Sequence, residues 1–108
     1  MIDALIGGKL YGSPKQGTGK TGNTYTTAKV KAAASSGETL LCSVIAFDDK
    51  AQAALLALDD GDSVAVSGAL TPKVYTDKAG DTRPALDMVA HAVLTAYHVK
   101  RKRAAVDG

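Results

Sequence analysis

Tryptophan is absent from this chain, and phenylalanine occurs once, as Phe47. The remaining rings are Tyr11, Tyr25, Tyr75 and Tyr97, so any surface that works by aromatic stacking has few rings to draw on. A single cysteine, Cys42, excludes an internal disulfide and a cysteine-based zinc site. Inside the apolar run LLCSVIAF it reads as a small core residue. The two histidines, His91 and His98, stand apart from any acidic or thiol cluster at ligand spacing, so neither a metal nor a cofactor is expected. No Ser-His-Asp order and no carboxylate pair suited to acid–base work stands out, and the chain does not read as an enzyme. No apolar run approaches the roughly 20 residues of a membrane span. The start, MIDALIGGKLYG, lacks the basic residues and long apolar stretch of a secretion signal, so a cytoplasmic protein is expected.

What is present is one domain's worth of chain, 108 residues of which 45% are hydrophobic. A chain of this size buries only roughly 60–70% of its unfolded surface, so self-association would add needed stability. The net charge of +2 decides little, but its distribution is uneven. Residues 1–47 carry +3, residues 48–62 carry −4, and residues 63–108 carry +3. A nearly neutral protein arranged this way can still turn a basic face to a polyanion.

The elements follow from periodicity. IDALIGGKLY (2–11) reads as a strand that bends or bulges at Gly7-Gly8. TYTTAKVKAAA (24–34) alternates, with Thr26, Ala28, Val30 and Ala32 on one side and Tyr25, Thr27, Lys29 and Lys31 on the other, a half-buried strand. TLLCSVIAF (39–47) is a continuous apolar run of central-strand length. DDKAQAALLALD (48–59) has Ala51, Leu55 and Leu58 at helical spacing, Asp48 or Asp49 to cap its start, and Gly61 to stop it. DSVAVSGALT (62–71) alternates again. PKVYTDKAGDTRPA (72–85) is a long hairpin with DKAGD at its tip, and LDMVAHAVLTAY (86–97) is a closing strand whose alanines leave a helical end open. The basic remainder, 98–108, is expected to be a flexible tail. Five strands with one helix between the third and fourth are the arrangement of the OB-fold, a small Greek-key barrel that binds oligonucleotides or oligosaccharides.

The stretch GSPKQGTGKTG (12–22) ends like a phosphate-binding loop. Pro14, however, stands where that motif needs its first glycine, and proline has no N–H to offer a phosphate. A strand pattern, not a helix, follows. The stretch therefore reads as a flexible hairpin loop carrying Lys15 and Lys20.

Several segments, in order, resemble the bacterial single-stranded DNA-binding protein family: GKLYGSP at the first strand, SVIAFDDKAQAALLAL, DGDSVAVSGAL, and the hairpin YTDKAGDTR. The resemblance covers about residues 4–94. It implies an all-β OB-fold with one helix that binds single strands with little sequence preference, by stacking bases on aromatics and following phosphates with cations. It carries over Phe47 at the end of the third strand and Tyr75 in place of the hairpin tryptophan. The family's other tryptophan falls on Leu41 and a basic residue on Ser43, losses that imply weaker binding. The resemblance also implies a homodimer or homotetramer. The family's acidic recruiting tail has no counterpart in KRKRAAVDG, so recruitment of replication or repair proteins is left in doubt.

The expected DNA-binding residues are Tyr25, Lys29, Lys31, Phe47, Lys73, Tyr75, Lys78 and Arg83. Each has a plainer alternative. Tyr75 is a stacking platform or hairpin packing, Phe47 a platform or core, and Lys29 and Lys31 phosphate contacts or solubilising charges. Tyr25 shares their face. Arg83 reaches phosphate or pairs with Asp81. Tyr11 lies on the ligand face or packs on the glycine-rich loop. The expectation is sequence-nonspecific binding of single-stranded DNA in replication, repair or recombination. The rival is an OB-fold interaction module such as a primosomal component, whose DNA affinity is secondary.

Overall fold

The computed structural model describes residues 1–95. The boundary drawn at 97/98 and the basic tail, with Tyr97 and His98, lie outside the described residues. The chain forms β1 (Ile2–Leu10), β2 (Lys15–Thr18), β3 (Thr24–Ala33), β4 (Thr39–Ala46), α1 (Asp49–Leu56), β5 (Ser63–Thr76) and β6 (Thr82–Thr95). Sheet order is β1-β5-β6-β4-β3-β2, and β1 also pairs with β3, which closes β1, β5, β6, β4 and β3 into a five-stave barrel. All pairings are antiparallel except β4 with β6. That parallel pair forces a crossover, through α1 and β5. The expected OB-type barrel is thus present, with one correction of numbering. The helix lies between β4 and β5, because the glycine-rich segment contributes a strand of its own.

That strand corrects the flexible-loop expectation. Lys15, Gln16, Gly17 and Thr18 register against Thr27, Thr26, Tyr25 and Thr24. Gly17 leaves room for the Tyr25 ring to lie across β2, since a Cβ there would lie 2.5 Å from Cζ of Tyr25. A second correction concerns Gly7-Gly8. β1 runs in unbroken register with β5 from Ile2↔Leu70 to Lys9↔Ser63, without a bulge. Gly8 serves barrel closure instead: a Cβ there would sit 2.1 Å from the Lys31 carbonyl oxygen, where β1 crosses onto β3. The irregularity in the barrel lies elsewhere, between Ser67 and Gly68 in the β5–β6 ladder.

The core follows the alternation. Ala28 and Val30 of β3, Cys42, Val44 and Ala46 of β4, Val64 and Val66 of β5, and Met88 and Ala90 of β6 point inward and are buried. Burial pushes the Cys42 thiol upward, in keeping with a packing role. Asp48 caps α1, its carboxylate accepting from the Ala51 N–H at 3.1 Å. Ala51, Leu55 and the following Leu58 close one end of the core. The helix stops at Leu56, before Gly61; that glycine (φ +87°) instead shapes the Asp59–Asp62 turn and donates to the Leu10 carbonyl at 2.8 Å. Gln52 ties α1 to the barrel. It accepts from the buried Thr26 hydroxyl (3.0 Å) and donates to the carbonyls of Thr24 (3.1 Å) and Phe47 (3.0 Å). β6 stays extended to Thr95, so the helical alternative for its end does not occur among the described residues. No helix among them is long and apolar enough to cross a membrane.

Candidate nucleic-acid interface

Side chains that alternate away from the core of β3, β4, β6 and β5 form a continuous floor. Pairing registers place two rows across it. One runs Lys29–Ser43–Asp87–Thr71 and the next Thr27–Ile45–Val89–Ala69. A groove of about 690 Å³ lies over these rows, bordered by Tyr11, Gly12, Ser13 and Lys15 from the segment after β1. That border is anchored where the Gly12 N–H donates to Asp60 at 2.7 Å. A smaller hollow of about 280 Å³ continues at one end, lined by Tyr11, Lys31, Leu41, Tyr75, Arg83 and neighbours. The Lys31 ammonium stands 4.3 Å from the centre of the Tyr11 ring, a cation–π contact that holds both against the hollow. Tyr75 and Arg83 face each other in register on the β5–β6 hairpin.

The hairpin itself is built by its turn. The Asp77 N–H donates to the Asp81 carbonyl at 2.9 Å, and the Asp77 carboxylate accepts from the N–H groups of Ala79 (3.0 Å) and Asp81 (2.9 Å). Gly80 supplies the positive φ that the turn requires. The second oxygen of Asp77 binds Arg83 Nε. Arg83 holds the Asp77 carboxyl below the usual carboxylate range, with the turn N–H groups adding to the effect. Arg83 therefore pairs with Asp77 and not with Asp81, as anticipated from proximity.

The anticipated residues divide into groups. Lys29 is exposed on the groove floor, and Lys31, Tyr75 and Arg83 share the smaller hollow. Lys73 lies beside the floor, but its ammonium is ion-paired with Asp87 at 2.6 Å. Phe47 is 57% exposed, which removes the core alternative. It follows Ser43 and Ile45 in outward alternation, one step past the Thr26↔Ala46 pair and so beside Tyr25. The half-buried Tyr25 ring lies over Gly17. These two rings sit at the opposite end of the β3–β4 surface from Tyr75, which is level with Thr39, roughly 26 Å away at about 3.3 Å per residue. Lys78 is exposed in the hairpin turn and lines neither the groove nor the hollow. Two further residues line these spaces. Tyr11, left undecided on sequence, lines both spaces. Asp87 lines the groove, and its parity with Val89 on β6 is the signal for it in the sequence. Among the described residues there is no group of His, Cys, Asp and Glu side chains able to hold a metal.

A sequence model of the single-strand binding protein family matches residues 1–96. The chain belongs to that family. Its members bind single-stranded DNA, generally without catalysing a reaction, and typically as oligomers; replication and repair are their general setting. Solved structures agree on the fold. The small single-stranded DNA-binding protein from Streptomyces coelicolor superposes with a TM-score of 0.70 at 22% identity, covering 87% of this chain and 93% of that one. The mitochondrial single-stranded DNA-binding protein of S. cerevisiae gives 0.66 at 17% identity, covering 88% and 94%. No curated protein matches the chain.

Proposed function

We propose that the floor of β3, β4, β5 and β6 is where this chain binds single-stranded DNA, as a binding protein and not an enzyme. The observation that carries the reading is the hollow beside the groove. It collects two of the chain's few rings, Tyr11 and Tyr75, and the Lys31 ammonium at one end of an open floor, beside Glu38 and Arg83, the latter ion-paired with Asp77. Rings supply faces on which bases stack, and ammonium and guanidinium groups follow phosphates. Lys29 and Lys15 extend the positive border along the groove. Tyr25 and Phe47 form a second stacking position at the far end. Lys73 contributes less than its charge suggests, because it is engaged by Asp87. Lys78 meets only strand that runs past the hairpin tip. A role in cytoplasmic DNA replication, repair or recombination fits this chemistry.

The assembly that goes with this reading is a homodimer or homotetramer. Among the described residues β1 meets β3 only at Lys9 and Leu10, and none of them pairs with the edge from Ile2 to Gly8, where Ile2 and Leu5 are largely exposed. Open edges of this kind invite pairing with another strand. Light scattering of the purified chain reads the mass directly, and a monomer across micromolar concentrations rejects the assembly.

The binding reading is tested by fluorescence anisotropy with an oligo-dT of about 30 nucleotides at low and moderate salt. Tyr75→Ala is expected to weaken binding about 5- to 150-fold, the equivalent of about 1–3 kcal/mol of stacking. Absence of binding by the parent at low salt rejects the DNA reading and returns the interaction-module alternative. Binding that Tyr75→Ala leaves untouched keeps the DNA reading and removes the hollow from it.

A further inference from the structure

An acidic side chain on the floor of a groove that receives a polyanion calls for an account. Among the described residues that line the groove, Asp87 is the only carboxylate. It stands in register with Ser43 on one side and Thr71 on the other, with Lys29 beyond Ser43. Lys73 reaches its Oδ1 at 2.6 Å from two residues along β5. The pair is substantially solvent-exposed, with relative side-chain accessibilities of 39% for Lys73 and 49% for Asp87, so it is not a structural staple.

We infer that Asp87 reads base edges, and that the groove favours bases bearing an exocyclic amino group over thymine. The inference rests on the DNA reading of the groove. A carboxylate repels phosphate, so the backbone passes along the Lys29 and Lys15 border and the bases point inward. The row next to Asp87 carries Ile45 and Val89, an apolar seat for a base. Rows two residues apart are separated by about 6.5–7 Å, close to the width of a pyrimidine ring, so a base seated there presents its edge to Asp87. An ionised carboxylate only accepts hydrogen bonds, with roughly four lone-pair directions, and Lys73 does not exhaust them. The amino group of cytosine donates to such an acceptor. Thymine offers a carbonyl oxygen at the same position, which meets the carboxylate as a second acceptor. The Lys73 ammonium beside Asp87 offsets its charge and limits its repulsion of the strand.

The test compares anisotropy titrations with oligo-dC and oligo-dT of equal length, for the parent and for Asp87→Asn. The substitution keeps the shape, and the side chain is exposed enough for the fold to tolerate it. The parent is expected to bind oligo-dC about three- to tenfold more tightly than oligo-dT. Asp87→Asn, which can donate as well as accept, is expected to bring that ratio close to one while strengthening oligo-dT binding. A parent with no dC preference overturns the inference. So does a preference that Asp87→Asn leaves intact while both affinities rise together, since that is simple charge repulsion. If the parent binds neither oligomer, the DNA reading of the groove fails, and the preference fails with it.

Discussion

Two adjacent glycines separate conformational freedom from close approach. At Gly7 a Cβ would meet nothing within 4 Å, whereas at Gly8 it would lie 2.1 Å from the Lys31 carbonyl oxygen, a backbone atom that cannot swing aside. Gly7→Ala is therefore expected to leave stability unchanged or raise it by a few tenths of a kcal/mol, through a less disordered unfolded chain. Gly8→Ala should destabilise by at least about 1–3 kcal/mol, because β1 must back away from β3. Urea melts of the two variants measure the contrast, and equal midpoints would show that closure does not depend on Gly8. Sequence marks both positions as special for a strand but does not say which one another backbone approaches. The same holds for the rings. Phe47 was open between core and surface because it follows an apolar run, and strand parity decides for the surface.

At the scale of elements, α1 and the β5–β6 hairpin each carry a polar fastening besides their packing and pairing. Gln52 accepts from the fully buried Thr26 hydroxyl and donates to the carbonyls of Thr24 and Phe47. Gln52→Leu keeps the bulk but orphans these groups. A loss of about 2–4 kcal/mol is expected in thermal or urea unfolding, since each buried group left unsatisfied costs about 1–3 kcal/mol. The carbonyl of Phe47 loses its tie as well, so Gln52→Leu should also loosen the strand end that presents this ring. In the hairpin, Arg83 holds the Asp77 carboxyl below its ordinary value. A folded pKa lowered in this way stabilises the turn above the unfolded value, near 3.9, and the benefit is lost as pH falls through the depressed folded value. The Ala79 and Asp81 amides, which donate to Asp77, should stay protected from exchange at pH 5 to 7 and lose protection only below about pH 4. Loss of protection between pH 5 and 7 would contradict this assignment. The helix and hairpin were both readable beforehand from apolar spacing and turn residues. Their fastenings were not: the sequence order placed Arg83 next to Asp81, while the curl of the turn brings Asp77 to it.

For the whole molecule, the ion pairs decide how many positive charges remain for DNA. Lys15, Lys29 and Lys31 line the groove or its hollow, whereas Lys73 and Arg83 already have carboxylate partners. With roughly 0.7 in the log–log salt slope per phosphate contact on single strands, about three contacts predict a slope near −2. Lys29→Ala should flatten it by about 0.7. Lys73→Ala should weaken binding by baring Asp87 yet leave the slope nearly unchanged. Titrations at four salt concentrations distinguish the two, and equal flattening by both would mean that the Lys73–Asp87 pair opens on binding.

Alternation, helical spacing and turn chemistry were sufficient for the strands other than β2, for α1 with a cap at Asp48 or Asp49, and for the barrel class. Each depends on neighbours within a few residues, and backbone geometry converts that spacing directly into faces and ends. β2 escaped because its four residues include Gly17 and carry no apolar alternation, so only its register against β3 reveals it. The interface escaped in part for a related reason. Its rows are written across strands, through a parallel β4–β6 pairing that joins Ser43 to Asp87, forty-four positions apart by number. Only the closed barrel sets Asp87 in the groove, turns Lys73 toward it and brings Tyr11 under Lys31. Those contacts depend on register and closure, which are settled by packing over the whole sheet and by no local stretch of chain.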